Sequence, residues 1–174
     1  MFKKIVLYLL VIVFILACTK SSKYNENRNI VKENMAKQIA MPKIENKNYL
    51  NKCKIKFVTR INANCYPCLY NYSMMELFIE EVLEKYNISV IIYVANIDST
   101  SFYKIYKNKI QFNFPVIFDE KDDFVKKNDL PYDSKFHTML LDENNKIIIL
   151  GNPVNNKELK ELYIKQINNH INNN

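Results

Sequence analysis

Asn64-Cys65-Tyr66-Pro67-Cys68 stands between two stretches with different periods. Before it, Lys54 to Thr59 (K-I-K-F-V-T) reads as a strand. After it, Leu69, Tyr72, Met75, Phe78, Ile79, Val82 and Tyr86 recur at steps of three and four, which makes one apolar face of a helix from about Pro67 to Tyr86. Two cysteines separated by two residues on the first turn of a helix can close a small disulfide ring. Proline suits that turn, because its missing N–H breaks no helical bond. The unpaired N–H groups and the dipole of the turn favour a thiolate over a thiol at Cys65, which makes it a nucleophile. The same spacing also serves as half of a zinc site or as an inert structural disulfide. A second C-x-x-C or an H-x-x-H, which would complete a closed zinc site, is absent from the sequence. A strand, then C-x-x-C, then a helix in an alternating β/α pattern reads as a dithiol redox motif.

The chain around this motif has 174 residues, of which 48% are hydrophobic and 25% charged, enough for one domain with its own core. Glycine occurs once, while Asn, Lys and Ile are abundant, a bias that carries no functional information. The formal charge is +7, and losing Lys3 and Lys4 with a cleaved leader lowers it by two, to +5. These charges are spread lysines, and no basic block interleaves with aromatics in the manner of a nucleic-acid surface. A solvated, mildly basic surface is expected, with no nucleic-acid partner and no cofactor.

Lys3 and Lys4 precede an uninterrupted apolar run from Ile5 to Leu16. That run is short for a membrane-spanning helix, which needs about twenty residues. It ends in Ile15-Leu16-Ala17-Cys18, which resembles a bacterial lipobox. The resemblance implies cleavage before Cys18 and lipid on its sulfur and amine. A plain signal peptide or N-terminal anchor is the alternative. Thr19 follows the cysteine where aspartate is associated with inner-membrane retention, so the expectation is an outer-membrane anchor facing the periplasm. Disulfides persist in that compartment unless something reduces them. With Cys18 lipidated and Cys65 paired with Cys68, Cys53 is left over. It alternates with Ile55 and Phe57 and is read as a buried inert thiol, with a resolving or intermolecular role as the alternative.

Residues 1–17 are thus expected to be a leader and 18–28 a polar tether. Residues 29–52 are expected to be an N-terminal extension, 53–168 the domain and 169–174 a frayed tail. The extension includes a possible helix from Asn29 to Ile39, ended by Pro42, and is expected at the sheet edge. Ser89 to Ile97 is a near-continuous apolar run that suits a buried parallel strand. Asp98 or Ser99 can cap a helix from Thr100 to about Asn108, with Phe102, Ile105 and Tyr106 facing inward. Phe114 to Asp119 is a short strand, followed by a short helix around Asp122 to Lys127 with Asp122 as its cap. Leu130 to Lys135 is a loop. His137 to Leu141 and Lys146 to Leu150 form a hairpin across Asp142-Glu143-Asn144-Asn145. Asn156 begins a last helix with Leu159, Leu162, Tyr163 and Ile167 on one face. The order βαβα, an inserted βα, then ββα predicts a three-layer α/β/α sandwich with a mixed central sheet.

At this point the sequence resembles the thioredoxin superfamily, and within it the membrane-anchored TlpA-like or redoxin-like branch of bacterial envelopes. C-Y-P-C (Cys65 to Cys68) has proline before the second cysteine, as that branch usually does. F-P-V-I-F-D (Phe114 to Asp119) resembles the strand of its insertion. T-M-L-L-D-E-N-N-K-I (Thr138 to Ile147) resembles its closing hairpin, and the longer run from Phe136 to Pro153 is similar to thioredoxin-like lipoproteins of the Bacteroidetes. The likeness spans about Cys53 to Ile167. It implies thiol–disulfide exchange, with Cys65 attacking a substrate disulfide and Cys68 resolving the mixed disulfide, while Tyr66 and Pro67 tune the potential. The implied partners are an envelope protein or small disulfide as substrate, a redox donor, and the membrane through the N-terminal lipid. Three positions depart from the family. Its cis-proline place falls on Phe136, followed by His137, and a trans peptide is expected there. Its tryptophan before the first cysteine is Asn64, and its buried aspartate six residues before that cysteine falls on Thr59. The loop of Phe136 and His137 is expected to face the dithiol, where His137 could depress a thiol pKa or complete a Cys65, Cys68 and His137 set for a soft metal. The alternative function is a binding module that keeps the fold without redox work, or holds copper or zinc.

Overall fold

The computed structural model describes residues 23–42, 54–83, 85–86, 88–106 and 113–172. The expected leader, Cys18 and Cys53 therefore lie outside the described residues. The chain divides into two compact units, Met1–Asn34 and Met35–Asn174. In the first, a helix (α1) covers 23–34, and Asn34 Nδ2 donates to Ile30 O at 2.9 Å. The helix expected from Asn29 to Ile39 thus starts earlier and ends earlier. Most of its side chains are exposed. A helix without an apolar face has no 3.6-residue period to read, and its first turns look like a polar linker. Among the described residues no helix is long and apolar enough to cross a membrane.

The second unit runs β1 (Lys56–Asn62), α2 (Tyr66–Leu83), β2 (Ser89–Ala95), α3 (Ser99–Tyr106), β3 (Val116–Asp119), α4 (Asp123–Lys127), a 3₁₀ turn (Ser134–Phe136), β4 (Thr138–Leu141), β5 (Ile147–Leu150) and α5 (Lys157–Asn172). The five strands lie in the order β3-β2-β1-β4-β5. β1, β2 and β3 are mutually parallel, β4 is antiparallel to β1, and β5 is antiparallel to β4. The predicted mixed sheet and element order are therefore present. β1 begins two residues later than expected and continues to Asn62, and α5 stays helical past Asn168, where fraying was expected.

Handedness sorts the helices onto faces. Each step from β1 to β2 and from β2 to β3 moves one strand toward the same edge, so right-handed crossovers place α2 and α3 on the same face. Phe57, Ile61, Val90, Ile92, Val94, Leu140 and Ile149 present that face to α2, to Phe102 of α3, and to Tyr163 and Ile167 of α5. Phe57, Phe78 and Tyr163 meet there with ring centroids 5.9 to 6.2 Å apart. Aromatic pairs at such spacing each add about 1 kcal/mol to the area they bury. The alternate residues of the strands face the other way. There Tyr93 stacks on Phe124 of α4 at 4.4 Å, and both are fully buried. Layers on both sides bury β1 almost throughout and β2 completely.

Residues 36–39 extend the sheet beyond β5. Ala36 N–H donates to Ile147 O, Ile147 N–H to Lys37 O, and Ile39 N–H to Asn145 O, at 2.8 to 3.1 Å. Gln38 bridges Lys146 in antiparallel fashion. Asn128 ties the next residue down, because Ala40 N–H donates to its Oδ1 at 2.7 Å and its Nδ2 donates to Ala40 O at 2.8 Å. The segment expected at the sheet edge is there over this stretch.

Three details of sequence reading change. Ile105 and Leu162, expected inward, are 54% and 41% exposed, so α3 and α5 bury narrower faces than their periodicity allowed. The Leu130 to Lys135 loop ends in the 3₁₀ turn, whose start is held by Asp133 accepting from Lys135 N–H. Asp122 does not cap α4 with its side chain. Asp119 does, its Oδ2 accepting from Phe124 N–H at 2.8 Å, which releases Asp122 for another partner. Asp98 caps α3 as expected, accepting from Ser101 N–H at 2.9 Å, and hydrogen bonding from the Ser101 side chain, with this backbone bond second, holds its carboxyl below the usual carboxylate range.

Candidate active site

β1, the central strand, ends at Asn62, and a tight turn follows. Ala63 N–H donates to Ala95 O at the end of β2, Asn64 N–H to Asn62 Oδ1, and Cys65 N–H to Asn62 O, all at 3.1 Å. Asn96 Nδ2 also donates to Asn62 Oδ1 at 3.1 Å, so one asparagine side chain fastens the turn to the neighbouring loop. α2 then starts at Tyr66, which puts Cys65 at its N-cap. Cys65 O accepts from both Cys68 and Leu69 N–H. Its sulfur also accepts from Cys68 N–H, at 3.2 Å. That bond strengthens if the sulfur becomes a thiolate, the physical reason for reading Cys65 as the nucleophile.

Cys65 and Cys68 are joined as a disulfide, with their Cα atoms 5.2 Å apart. Both are half-buried, and Cys68 packs against the core while Cys65 does not belong to it. Tyr66 is 67% exposed and Pro67 is exposed, so neither residue between the cysteines shields them. The disulfide opens on a cleft bordered by Arg60, Asn96, Asp122, Tyr132 and His137. Tyr132 is completely exposed on its rim.

The Phe136–His137 loop shares this cleft through His137, and its peptide bond is trans, as are all others described. Phe136 itself is buried, with Lys135 Nζ over its ring at 4.8 Å. His137 is 3% exposed, and its carbonyl accepts from Arg60 N–H at 3.0 Å, stitching the loop to β1. Its Nε2 lies 2.7 Å from Pro131 O. A carbonyl can only accept, so Nε2 carries the proton and Nδ1 is a bare acceptor, without a partner among the described residues. Burial lowers its pKa, the Arg60 charge adds to that, and the Pro131 carbonyl with Asp122 and Asp133 opposes it. Among the described residues no group of three His, Cys, Asp or Glu side chains is placed to hold a metal ion. The soft-metal set of Cys65, Cys68 and His137 is not assembled: the two sulfurs bind each other and the ring holds a carbonyl.

Sequence reading passed over the charges beside the dithiol. Arg60 makes two bonds to Asp122, Nε to Oδ1 at 3.0 Å and Nη2 to Oδ2 at 2.5 Å, with 7% and 19% of the side chains exposed. A signal existed. Of the 25 basic residues only Arg28 and Arg60 are arginine, and a planar two-toothed donor suits a half-buried carboxylate as lysine does not. Thr59 also had a partner that strand register reveals: it faces Thr138 across β1 and β4, and the hydroxyl oxygens are 2.9 Å apart.

No protein-family model and no curated protein matches the chain. Solved structures do. A thiol:disulfide interchange protein from Bacteroides sp. is similar over 69% of this chain and 77% of that one, at 15% identity and a TM-score of 0.53. A secreted thiol-disulfide isomerase from Corynebacterium glutamicum is similar over 70% and 74%, at 12% identity and a TM-score of 0.54. The chain also spans 42% of the length of a thioredoxin-like protein from Bacteroides caccae, covering 68% of itself, at 12% identity and a TM-score of 0.48. Parallel β1 to β3 closed by an antiparallel hairpin, with a dithiol where the first strand meets its helix, is the architecture shared with the first two, and by it this chain has the thioredoxin-like fold.

Proposed function

We propose that the chain is a thiol–disulfide oxidoreductase of the bacterial cell envelope, similar to the TlpA-like branch and held to the membrane by lipid on Cys18. The observation that carries this reading is the Cys65–Cys68 bond at the N-terminus of α2, open to a cleft on the Cys65 side. In the reduced state Cys65 attacks a substrate disulfide as thiolate, forming a mixed disulfide and expelling one substrate thiolate. Cys68 then attacks Cys65, restoring the internal bond and releasing the second substrate thiol. The substrate gains two electrons and the dithiol loses two, so an external dithiol donor resets the protein. Run backwards, the same steps oxidise a substrate dithiol.

Two features support the assignment of roles. The backbone N–H on the Cys65 sulfur favours its thiolate, and Cys68 sits against the core where an incoming protein reaches it less easily. The fold is shared with a secreted thiol-disulfide isomerase, which accords with a compartment where disulfides persist. The substrate is an envelope protein disulfide or a small disulfide docking at Cys65, beside the His137 loop.

The test is catalysed reduction of insulin with dithiothreitol as donor. Wild type is expected to turn over, Cys65→Ser to be inactive, and Cys68→Ser to accumulate a mixed disulfide on Cys65. A Cys65→Ser protein as active as wild type would sink the proposal.

A further inference from the structure

Behind the disulfide, on the side away from Cys65, lies a small cavity of mixed lining with a hydroxyl pair in its wall. Thr59 and Thr138 are 1% and 2% exposed, and their oxygens share one hydrogen bond at 2.9 Å. Two hydroxyls carry two protons, and only one can lie between the oxygens. The other has no acceptor among the described residues. Both threonines, Cys68, Asn71, Ser134 and Asn152 line the same partly enclosed cavity of about 80 Å³. At roughly 30 Å³ per molecule that is room for two or three waters, with these polar side chains as partners beside the apolar Ile61 and Met75. Cys65 does not border it.

We propose that Thr59 and Thr138 are positioning residues for the resolving cysteine: the spare O–H of the pair donates a hydrogen bond that, relayed by solvent in this cavity, holds Cys68 as thiolate. The inference rests on the exchange reading above. In the mixed disulfide the Cys68 thiol gives its proton to cavity solvent, and the thiolate is held by the donated hydrogen bond. It then attacks the Cys65 sulfur, forming the Cys65–Cys68 bond and breaking the bond from Cys65 to the substrate. The substrate sulfur leaves with the electron pair and takes up a proton from solvent. The threonines stay protonated throughout, because a hydroxyl is no base at neutral pH; they donate and nothing more.

The other charged and titratable groups around Cys68 are engaged elsewhere. Arg60 of β1 borders the cavity but is bound to Asp122. Tyr72 of α2 borders it too, and burial together with its donation to Glu76 Oε1 at 2.9 Å pushes its pKa far up. His137, Asp122 and Asp133 border the cleft that Cys68 shares with Cys65, where His137 is bound to Pro131 O, Asp122 to Arg60 and Asp133 to Lys135. A carboxylate on the cavity wall would add its own titration to resolution. A hydroxyl pair adds none of its own.

The measurement uses the reduced full chain. The rate at which iodoacetamide alkylates Cys68, read by peptide mass spectrometry against pH, gives the midpoint of its ionisation. Resolution of a mixed disulfide with a chromogenic aryl thiol gives the rate. Changing both threonines to valine removes the donors while leaving neither one unpaired, which keeps the fold near neutral in stability. In Thr59→Val/Thr138→Val the midpoint is expected to rise by about one pH unit, with about tenfold slower resolution at neutral pH. Thr59→Ser/Thr138→Ser, which keeps both hydroxyls, is expected to follow wild type. An unmoved midpoint in the valine pair would overturn the proposal, as would a serine pair shifted as far as the valine pair. A shifted midpoint in a protein that exchanges with no disulfide would support the contact and overturn the exchange reading alone.

Discussion

His137 occupies the loop beside the dithiol and carries the only imidazole at the cleft, yet its geometry makes it a strut. Nε2–H is committed to Pro131 O, and its own carbonyl receives Arg60 N–H. Because burial lowers its pKa, the folded chain holds His137 neutral at pH values where the unfolded chain already binds a proton, from about 6.5 downward. Its contribution to stability is therefore complete above that value and is lost as pH falls from there through the depressed folded value. Urea midpoints at about pH 7.5 and about pH 5 should show the loss in wild type. In His137→Gln, which can keep an N–H donor near Pro131 O without titrating, that part of the acid slope should vanish, and equal slopes in the two proteins would refute the assignment. At this scale the dithiol was plain in the sequence, because spacing and a helix start define its chemistry. Arg60, Asp122 and the threonine pair were not. Their roles depend on which residues two strands and a loop bring together, and no local pattern encodes that.

Among elements, the turns show how a chain with one glycine makes left-handed bends. Asn96, Asp122, Asp129, Asn145 and Asn155 all have positive φ, with Ala36 the sixth such position. Asn and Asp tolerate that region better than other side chains, so part of the asparagine-rich composition has structural work. Asn145, in the β4–β5 turn at φ 62°, gains least from its side chain, whose Oδ1 is buried with no partner among the described residues. Its backbone bonds, to Asp142 O and from Ile39 N–H, need no side chain. Asn145→Gly should thus stabilise the fold by about 1 kcal/mol, the relief of an unmet acceptor and a strained φ exceeding glycine's greater unfolded freedom. A lower urea midpoint in the variant would contradict this. The hairpin itself was legible because Asp142 to Asn145 carries turn residues between two apolar runs. Gly151 is the converse case. Its φ is 133°, and a Cβ there would sit 3.0 Å from Leu159 Cδ2, so the lone glycine is spent where no asparagine would fit.

For the whole molecule, the order of strands leaves two edges, and the chain closes one of them with its own upstream residues. β5 is bordered by residues 36–39, Ile39 is 2% exposed, and Tyr93 of β2 donates through its hydroxyl to Pro42 O at 2.9 Å. Sequence reading placed these residues before the domain, since Pro42 and the polar stretch after it look like a boundary. Their backbone bonds place 35–42 inside it, in agreement with a compact unit that begins at Met35. An open edge strand offers unpaired N–H and C=O groups to other chains, and covering it is a common defence against aggregation. A chain starting at Met35 keeps this whole edge segment. A chain starting at Lys43 loses the edge pairing, the Asn128 bonds to Ala40 and the burial of Ile39, the last alone worth about 2–4 kcal/mol. It should unfold at markedly lower urea and associate at concentrations where the longer chain stays monomeric. Equal midpoints for the Met35 and Lys43 chains would mean that the edge is covered at no energetic gain, and that residues 35–42 follow the domain without helping to hold it.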